Sequence, residues 1–226
     1  MKFELEPAEW WSGRQRIRAL CDIPSIGVKT GDIGGWVSGP DNLAQKGDCW
    51  IGPDARVTGG ARVSGDAQVG GRAKVGGAAR VCDHAQVSGN ADVRGQAQVY
   101  GHAQVGGYAI VGGLAQVSDD ATVTDSAQMF GEAKMSGSAR LGGRARILGL
   151  AHVEGRARVE GQALVCGDAN VGGDALVDGC ALLDGASHVT GHATSLAHRA
   201  KTTPGSTGGS FAPRIGADQG PDALMH

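Results

Sequence analysis

The sequence predicts an all-β fold, a single-stranded solenoid of short parallel strands, and three observations predict it. From Ala55 to Ala193 every sixth residue is alanine, with serine once at position 187; the residue two places on is aliphatic, and two beyond that comes glycine or aspartate. Glycine stands at 40 of 226 positions while aromatics make up only 4%, a balance wrong for an ordinary globule and right for a repeat array. Glycine recurs in sixes and not in threes, which excludes a collagen helix.

Within each unit, alanine and the aliphatic residue lie two apart, so they point to one side of an extended strand while the residue between them points outward. Glycine then ends the strand. Asp83, Asp119 and Asp125 take that place in three units, and aspartate is one of the few other residues that tolerates a left-handed backbone, so the position turns the chain with φ > 0. Inner positions are apolar through most of the array, with a bulkier stretch at Met129, Met135, Leu141 and Ile147, as a continuous dry core requires. Each buried valine contributes roughly 1.5–3 kcal/mol, which in sum offsets the ordering of a narrow rod.

Outward residues indicate how many units close a coil. With three, positions 18 apart stack, and Ile110, Phe130, Leu148, Leu164, Cys166 and Leu182 fall on one of three faces, with Tyr108, Leu114 and Leu150 on its bounding corners. With two, the same residues scatter over both sides. A triangular coil of 18 residues is therefore expected, with about eight coils giving a rod roughly 38 Å long.

The ends differ from the body. Residues 1–48 are expected to form an N-terminal cap, 49–194 the repeat rod and 195–226 a disordered tail, since Lys201 to Gly220 is rich in Thr, Gly, Ser and Pro and has little to bury. Trp10, Trp11, Trp36 and Trp50 cluster near the cap and are expected to plug the open end of the solenoid. Alternation from Arg14 to Leu20 predicts a strand that pairs with the first coil and blunts its edge. No cap is visible at the C-terminal end of the rod, which leaves that end for a protein partner or exposed.

Small residue, any residue, aliphatic, then a turn, repeated in sixes, resembles the hexapeptide-repeat (trimeric LpxA-like) superfamily of left-handed parallel β-helices. The left hand comes from that resemblance alone, because the ordinary crossover rule gives a right-handed path. Gly34-Gly35-Trp36-Val37, followed by Asn42-Leu43-Ala44-Gln45-Lys46-Gly47-Asp48-Cys49-Trp50-Ile51, is similar to the segment that leads into the rod in the YdcK-like branch. The resemblance implies a trimer. It also implies, by analogy with enzymes on the same rod, an acyltransferase that takes acyl-CoA and uses a histidine base between subunits.

The residues point first to a structural or interaction module. A row of Ile110, Phe130, Leu148, Leu164 and Leu182, bounded by Tyr108, Leu114 and Leu150, exceeds the apolar surface a soluble monomer usually exposes, so it is expected to meet other copies of the chain in a homotrimer. Arg62, Arg80, Gln98, Gln116, Lys134, His152, Asn170 and His188 form a polar column, most simply a solvated face, with a spacing that would also suit an extended anionic polymer. For the acyltransferase alternative the candidate bases are His102 and His152, near the apolar centre of the rod, yet no loop insertion accompanies any rod histidine to enclose a substrate. His84, His102 and His192 share a corner. His188 and His192 form His-x-x-x-His with one member on a face and the other at a corner and no third ligand beside them, so no metal is expected. Glycine spacing already explained by corners leaves no phosphate loop, and no cofactor is expected outside the acyl-CoA alternative.

A net charge of −2 gives no pull toward nucleic acid or anionic lipid. The acidic first residues and the lack of a long apolar run predict a cytoplasmic protein with neither leader nor membrane span. Cys21, Cys49, Cys82, Cys166 and Cys180, odd in number and without a Cys-x-x-Cys pair, read as reduced thiols.

Overall fold

The computed structural model describes residues 1–7, 13–191, 194–196 and 199–200, the last two stretches as strand backbone. Trp10, Trp11, His192 and residues 201–226 of the expected tail lie outside the described residues. The repeat folds as read: three parallel sheets run along a solenoid, with in-register partners 18 residues apart, such as Asp92 with Ile110, Gln98 with Gln116 and Gln86 with Gln104. Face I carries the Arg56 column in a sheet of twelve strands, face II the Arg62 column in eight, and face III the Gln68 column in nine. Nine strands on face III mark nine turns. No helix among the described residues is long and apolar enough to cross a membrane.

Backbone hydrogen bonds join each turn to the next. The Gln98 amide donates to the Ala115 carbonyl at 2.9 Å, and at the corner the Gln96 amide donates to the Gly113 carbonyl at 2.7 Å. Gly95 shows why the corner needs glycine on two counts: its φ is 72°, and a Cβ there would meet the Gly113 carbonyl oxygen at 2.8 Å. Asp83, Asp119 and Asp125 hold the same conformation, with φ of 59°, 56° and 57°. Each repays the strain with its carboxylate, which accepts the amide of the residue stacked above it: Gly101 at 3.0 Å, Gly137 at 2.9 Å and Gly143 at 2.8 Å. The alanines and aliphatics form one continuous core, in which Met129, Met135, Leu141 and Ile147 are fully buried.

The rod starts upstream of residue 49. Strands β1 (Phe3–Leu5), β2 (Gln15–Ala19) and β3 (Ile33–Val37) pair antiparallel in turn, and β3 already lies parallel to Arg56–Val57, with Trp36 opposite Arg56. Leu43 bridges to Val63 on face II, and β4 (Trp50–Ile51) opens face III against Gln68–Val69. Trp36 and Leu43 stand 20 residues from their partners and Trp50 stands 18 from its own, so the first turn carries two extra residues, between Leu43 and Trp50. Those residues break the six-residue rhythm, and the rod has nine turns where the repeats gave about eight. Strand β2 covers the edge of the first turn as its alternation predicts, and β1 extends the sheet by one more strand. At the other end, strands Thr194–Leu196 and Arg199–Ala200 continue faces III and I past the boundary expected at residue 194.

The expected tryptophan plug is corrected for the two tryptophans described. Val37 and Ile51 point into the lumen, so by the alternation of a strand Trp36 and Trp50 point away from it, Trp36 half-buried and Trp50 buried within the apolar cluster. Trp36 lies beneath the Arg16 guanidinium, 5.3 Å from its ring centre. The open end is instead filled by Phe3, Ile17, Leu43 and Ile51, all fully buried.

Candidate functional site

Face I gathers the apolar side chains, in a zigzag and not a single column. Its outward row reads Ile110, Gln128, Arg146, Leu164, Leu182 in consecutive register. Gln128 and Arg146 interrupt it. A second row, one residue past each inner position, supplies Phe130, Leu148 and Cys166, whose amides donate to Ile147, Val165 and Leu183 of the next turn at 3.0, 2.8 and 2.8 Å. The two rows together give an apolar strip over five strands, about 19 Å along the rod at the usual strand spacing. Phe130 packs against Gly112, where a Cβ would meet its Cε1 at 2.7 Å, and the Arg94 guanidinium lies over its ring, 5.6 Å from the centre.

The bounding corners hold the most exposed apolar groups of the rod. Tyr108 is 67% exposed on the corner from face III, and Leu114 and Leu150 are 44% and 53% exposed on the corner to face II. With Met1 and Leu20 they make up the exposed large hydrophobics among the described residues. Ile110, Phe130, Leu148, Leu164 and Leu182 are each half-buried by their neighbours in the same sheet.

Face II carries the polar column in register from Arg62 through Arg80, Gln98, Gln116, Lys134, His152 and Asn170 to His188. Arg62 directly opposite Arg80 is a like-charge pair, which a sheet accepts only where both side chains reach water; both are exposed. A shallow depression of about 350 Å³ opens on this face, lined by Tyr100, Gln116, Ser118, Lys134, His152 and Glu154. It places the candidate base His152 beside a lysine and a carboxylate. Further along, Asn170 has a buried Oδ1 without a hydrogen-bond partner.

His84 and His102 do share a corner, and the structure adds what spacing leaves unsaid. Their rings stack at 4.8 Å between centres with 6° between planes, and His84 Nδ1 lies 3.5 Å from the Asp66 carboxylate. Parallel imidazoles direct their in-plane lone pairs side by side and not toward a common point, so this pair does not chelate. Among the described residues no group of three or more histidine, cysteine, aspartate or glutamate side chains is placed to hold a metal. His188 is exposed on face II.

All five cysteines are free thiols. Burial, followed by the nearby Asp83 charge and a hydrogen bond to it, pushes the Cys82 thiol up from its ordinary pKa, with Arg80 opposing. Burial, a hydrogen bond to Asp184 and that carboxylate's charge do the same for Cys166.

The residues of the segment leading into the rod meet in space. Asn42 is buried and makes four hydrogen bonds: its Oδ1 accepts from the Ser38 and Gly39 amides at 2.8 and 3.1 Å, and its Nδ2 donates to the Gly59 and Ala61 carbonyls at 2.9 and 2.8 Å. Gln45 clamps β1, accepting from the Lys2 amide at 2.7 Å and donating to the Phe3 carbonyl at 3.1 Å. Gly34 has no room for a side chain, since a Cβ would sit 2.5 Å from Ile17 Cγ1 and 2.7 Å from the Ile51 carbonyl oxygen.

Three parallel sheets built from 18-residue turns, with an apolar lumen and cornering glycines, define a β-solenoid repeat protein. Within that class, residues 115–131, about one turn of the rod, match the family model described as YdcK Beta solenoid repeat. The match and the coil together fit the YdcK-like branch of β-helix proteins. No curated protein matches the chain.

Proposed function

We propose that the chain is a structural or interaction β-solenoid module that self-associates, as a homotrimer, through the apolar strip of face I. One observation carries this reading: Ile110, Phe130, Leu148, Leu164 and Leu182 lie on five successive strands of one face, and Tyr108, Leu114 and Leu150 stand exposed along its borders. Cyclic closure buries every copy of such a strip equally and leaves none in water. Light scattering tests it. Phe130→Lys combined with Leu148→Lys is expected to lower the oligomer mass, and an unchanged mass overturns the interface.

The second reading, an acyl-CoA-dependent acyltransferase, draws on the Asp66, His84, His102 row, in which a carboxylate stands beside an imidazole as the partner of a general base does, and on the depression beside His152. Calorimetry against acetyl-CoA and longer acyl-CoAs decides it. Heat that disappears in His102→Ala or His152→Ala supports the enzyme; flat traces with the unaltered chain reject it.

A further inference from the structure

The N-terminal strand brings a lysine against a cysteine that fills an inner position of the first turn. Cys49 is fully buried and Lys2 is 6% exposed, at the corner where the first turn carries its two extra residues. The irregular corner presents carbonyls that no neighbouring turn pairs with in the rod's manner, and Lys2 fills the gap: its Nζ donates to the Gly47 and Cys49 carbonyls at 3.0 and 2.8 Å. The same nitrogen lies 3.0 Å from Cys49 Sγ. Ala44, Lys46 and Val63 carbonyls surround the sulfur at 3.6 to 3.8 Å. Among the described residues no carboxylate stands within salt-bridge distance of Nζ, so two carbonyls and the sulfur are its close partners.

Three properties suit the pair to oxidative joining. A separation of 3.0 Å is too long for a direct nitrogen–sulfur bond and close to the span of two single bonds meeting at one bridging oxygen, so bridging asks little movement of either side chain. Lys2 leads directly into β1, a three-residue strand at the outer edge of the face I sheet, the kind of element that opens locally and admits a small oxidant. When β1 closes again the thiol, the amine and the trapped oxidant share a site shut off from bulk water, where the sulfur is shielded from stepwise oxidation.

We propose that Lys2 Nζ and Cys49 Sγ form a reversible nitrogen–oxygen–sulfur crosslink that ties the N-terminal strand to the first turn under oxidising conditions. With dioxygen as the oxidant, one N–H bond of the neutral amine, the S–H bond and the O–O bond break. One oxygen forms the N–O and O–S bonds, and the other leaves as water with the two hydrogens released. Nitrogen and sulfur supply the four electrons that reduce dioxygen. Two molecules of a dithiol reverse the step, restoring amine and thiol and releasing the bridging oxygen as water.

The test uses the full chain in dioxygen-saturated buffer, before and after dithiothreitol, read by intact mass and peptide mapping. The expected product is heavier by one oxygen less two hydrogens, yields a peptide joining Lys2 to Cys49, and returns to the starting mass with dithiothreitol. Lys2→Met and Cys49→Ser are expected to lose that product entirely. Mapping the bond in the unaltered chain keeps the result independent of how well either variant folds. Three outcomes each overturn the proposal: Cys49 remaining a thiol while the exposed Cys21 and Cys180 oxidise, Cys49 carrying two or three oxygens with Lys2 unmodified, or a joined species that has lost two hydrogens and gained no oxygen.

Discussion

The cap pairs its strands antiparallel and the rod pairs its strands parallel, and the two are secured by different means. In the rod, backbone bonds to the next turn repeat at each step, and the side chains inside are nearly interchangeable alanines and valines. In the first fifty residues backbone pairing is supplemented by bonds from individual side chains: Asn42 to four backbone groups, Gln45 to β1, Lys2 to the Gly47–Cys49 corner, and Arg16 to the Gly34 carbonyl at 2.9 Å. A solenoid propagates by repetition, but its first turn has no preceding turn to pair with, so unique residues must satisfy what a neighbour otherwise would.

That contrast is open to test, starting with the largest effect. Met129→Ala at the bulky centre of the rod is expected to lower stability by about 2–5 kcal/mol in chemical unfolding, because a cavity in a narrow core has little room to collapse. Asn42→Ala in the cap is expected to cost about 1–3 kcal/mol, since it strands buried backbone donors and acceptors; an effect near zero would show that the first turn does not depend on this side chain. Asp119 allows a finer comparison within the rod. Asp119→Ala forces an ordinary residue into the left-handed region and is expected to cost about 1–2 kcal/mol, whereas Asp119→Gly relieves the conformation while losing one exposed hydrogen bond and is expected to be nearly neutral in thermal unfolding. Equal losses in the two variants would assign the role to the carboxylate and not to the backbone.

The smallest effect concerns thiols. Because burial and neighbouring carboxylates raise the pKa of Cys82 and Cys166, both stay protonated further into the alkaline range than an ordinary thiol, and the thiolate is the reactive form. Alkylation at pH 8 followed by mass mapping is expected to label the exposed Cys21 and Cys180 ahead of Cys82 and Cys166, with the gap narrowing as pH rises. Simultaneous labelling of all four would contradict the placement of these side chains.

The rod was legible because its rule is periodic: Ala and Val two apart with a turn after them fix strand, inner face and corner, and stacking at 18 residues sorts Ile110 to Leu182 onto one face. The zigzag was not legible. Gln128 and Arg146 share the first outward row with Ile110 and Leu164, and only the pleat of the sheet shows that Phe130 and Leu148 fill in beside them. The stacked imidazoles of His84 and His102 follow from the same 18-residue step, but their ring planes do not. The cap was legible only in part: alternation foretold β2, but the two extra residues between Leu43 and Trp50 break the repeat, and strand alternation sets Trp36 and Trp50 away from the lumen.

Sequence by itself determined the solenoid, its three-faced coil and the left-handed corners, since each depends on contacts one repeat or one turn apart, and a strict period transmits those to every copy. Tertiary structure decided the rest: which unique side chains close the first turn, how Phe130 packs against Gly112, and that Lys2 meets Cys49. Those contacts join residues whose separation obeys no period, so only the closed chain brings them within reach.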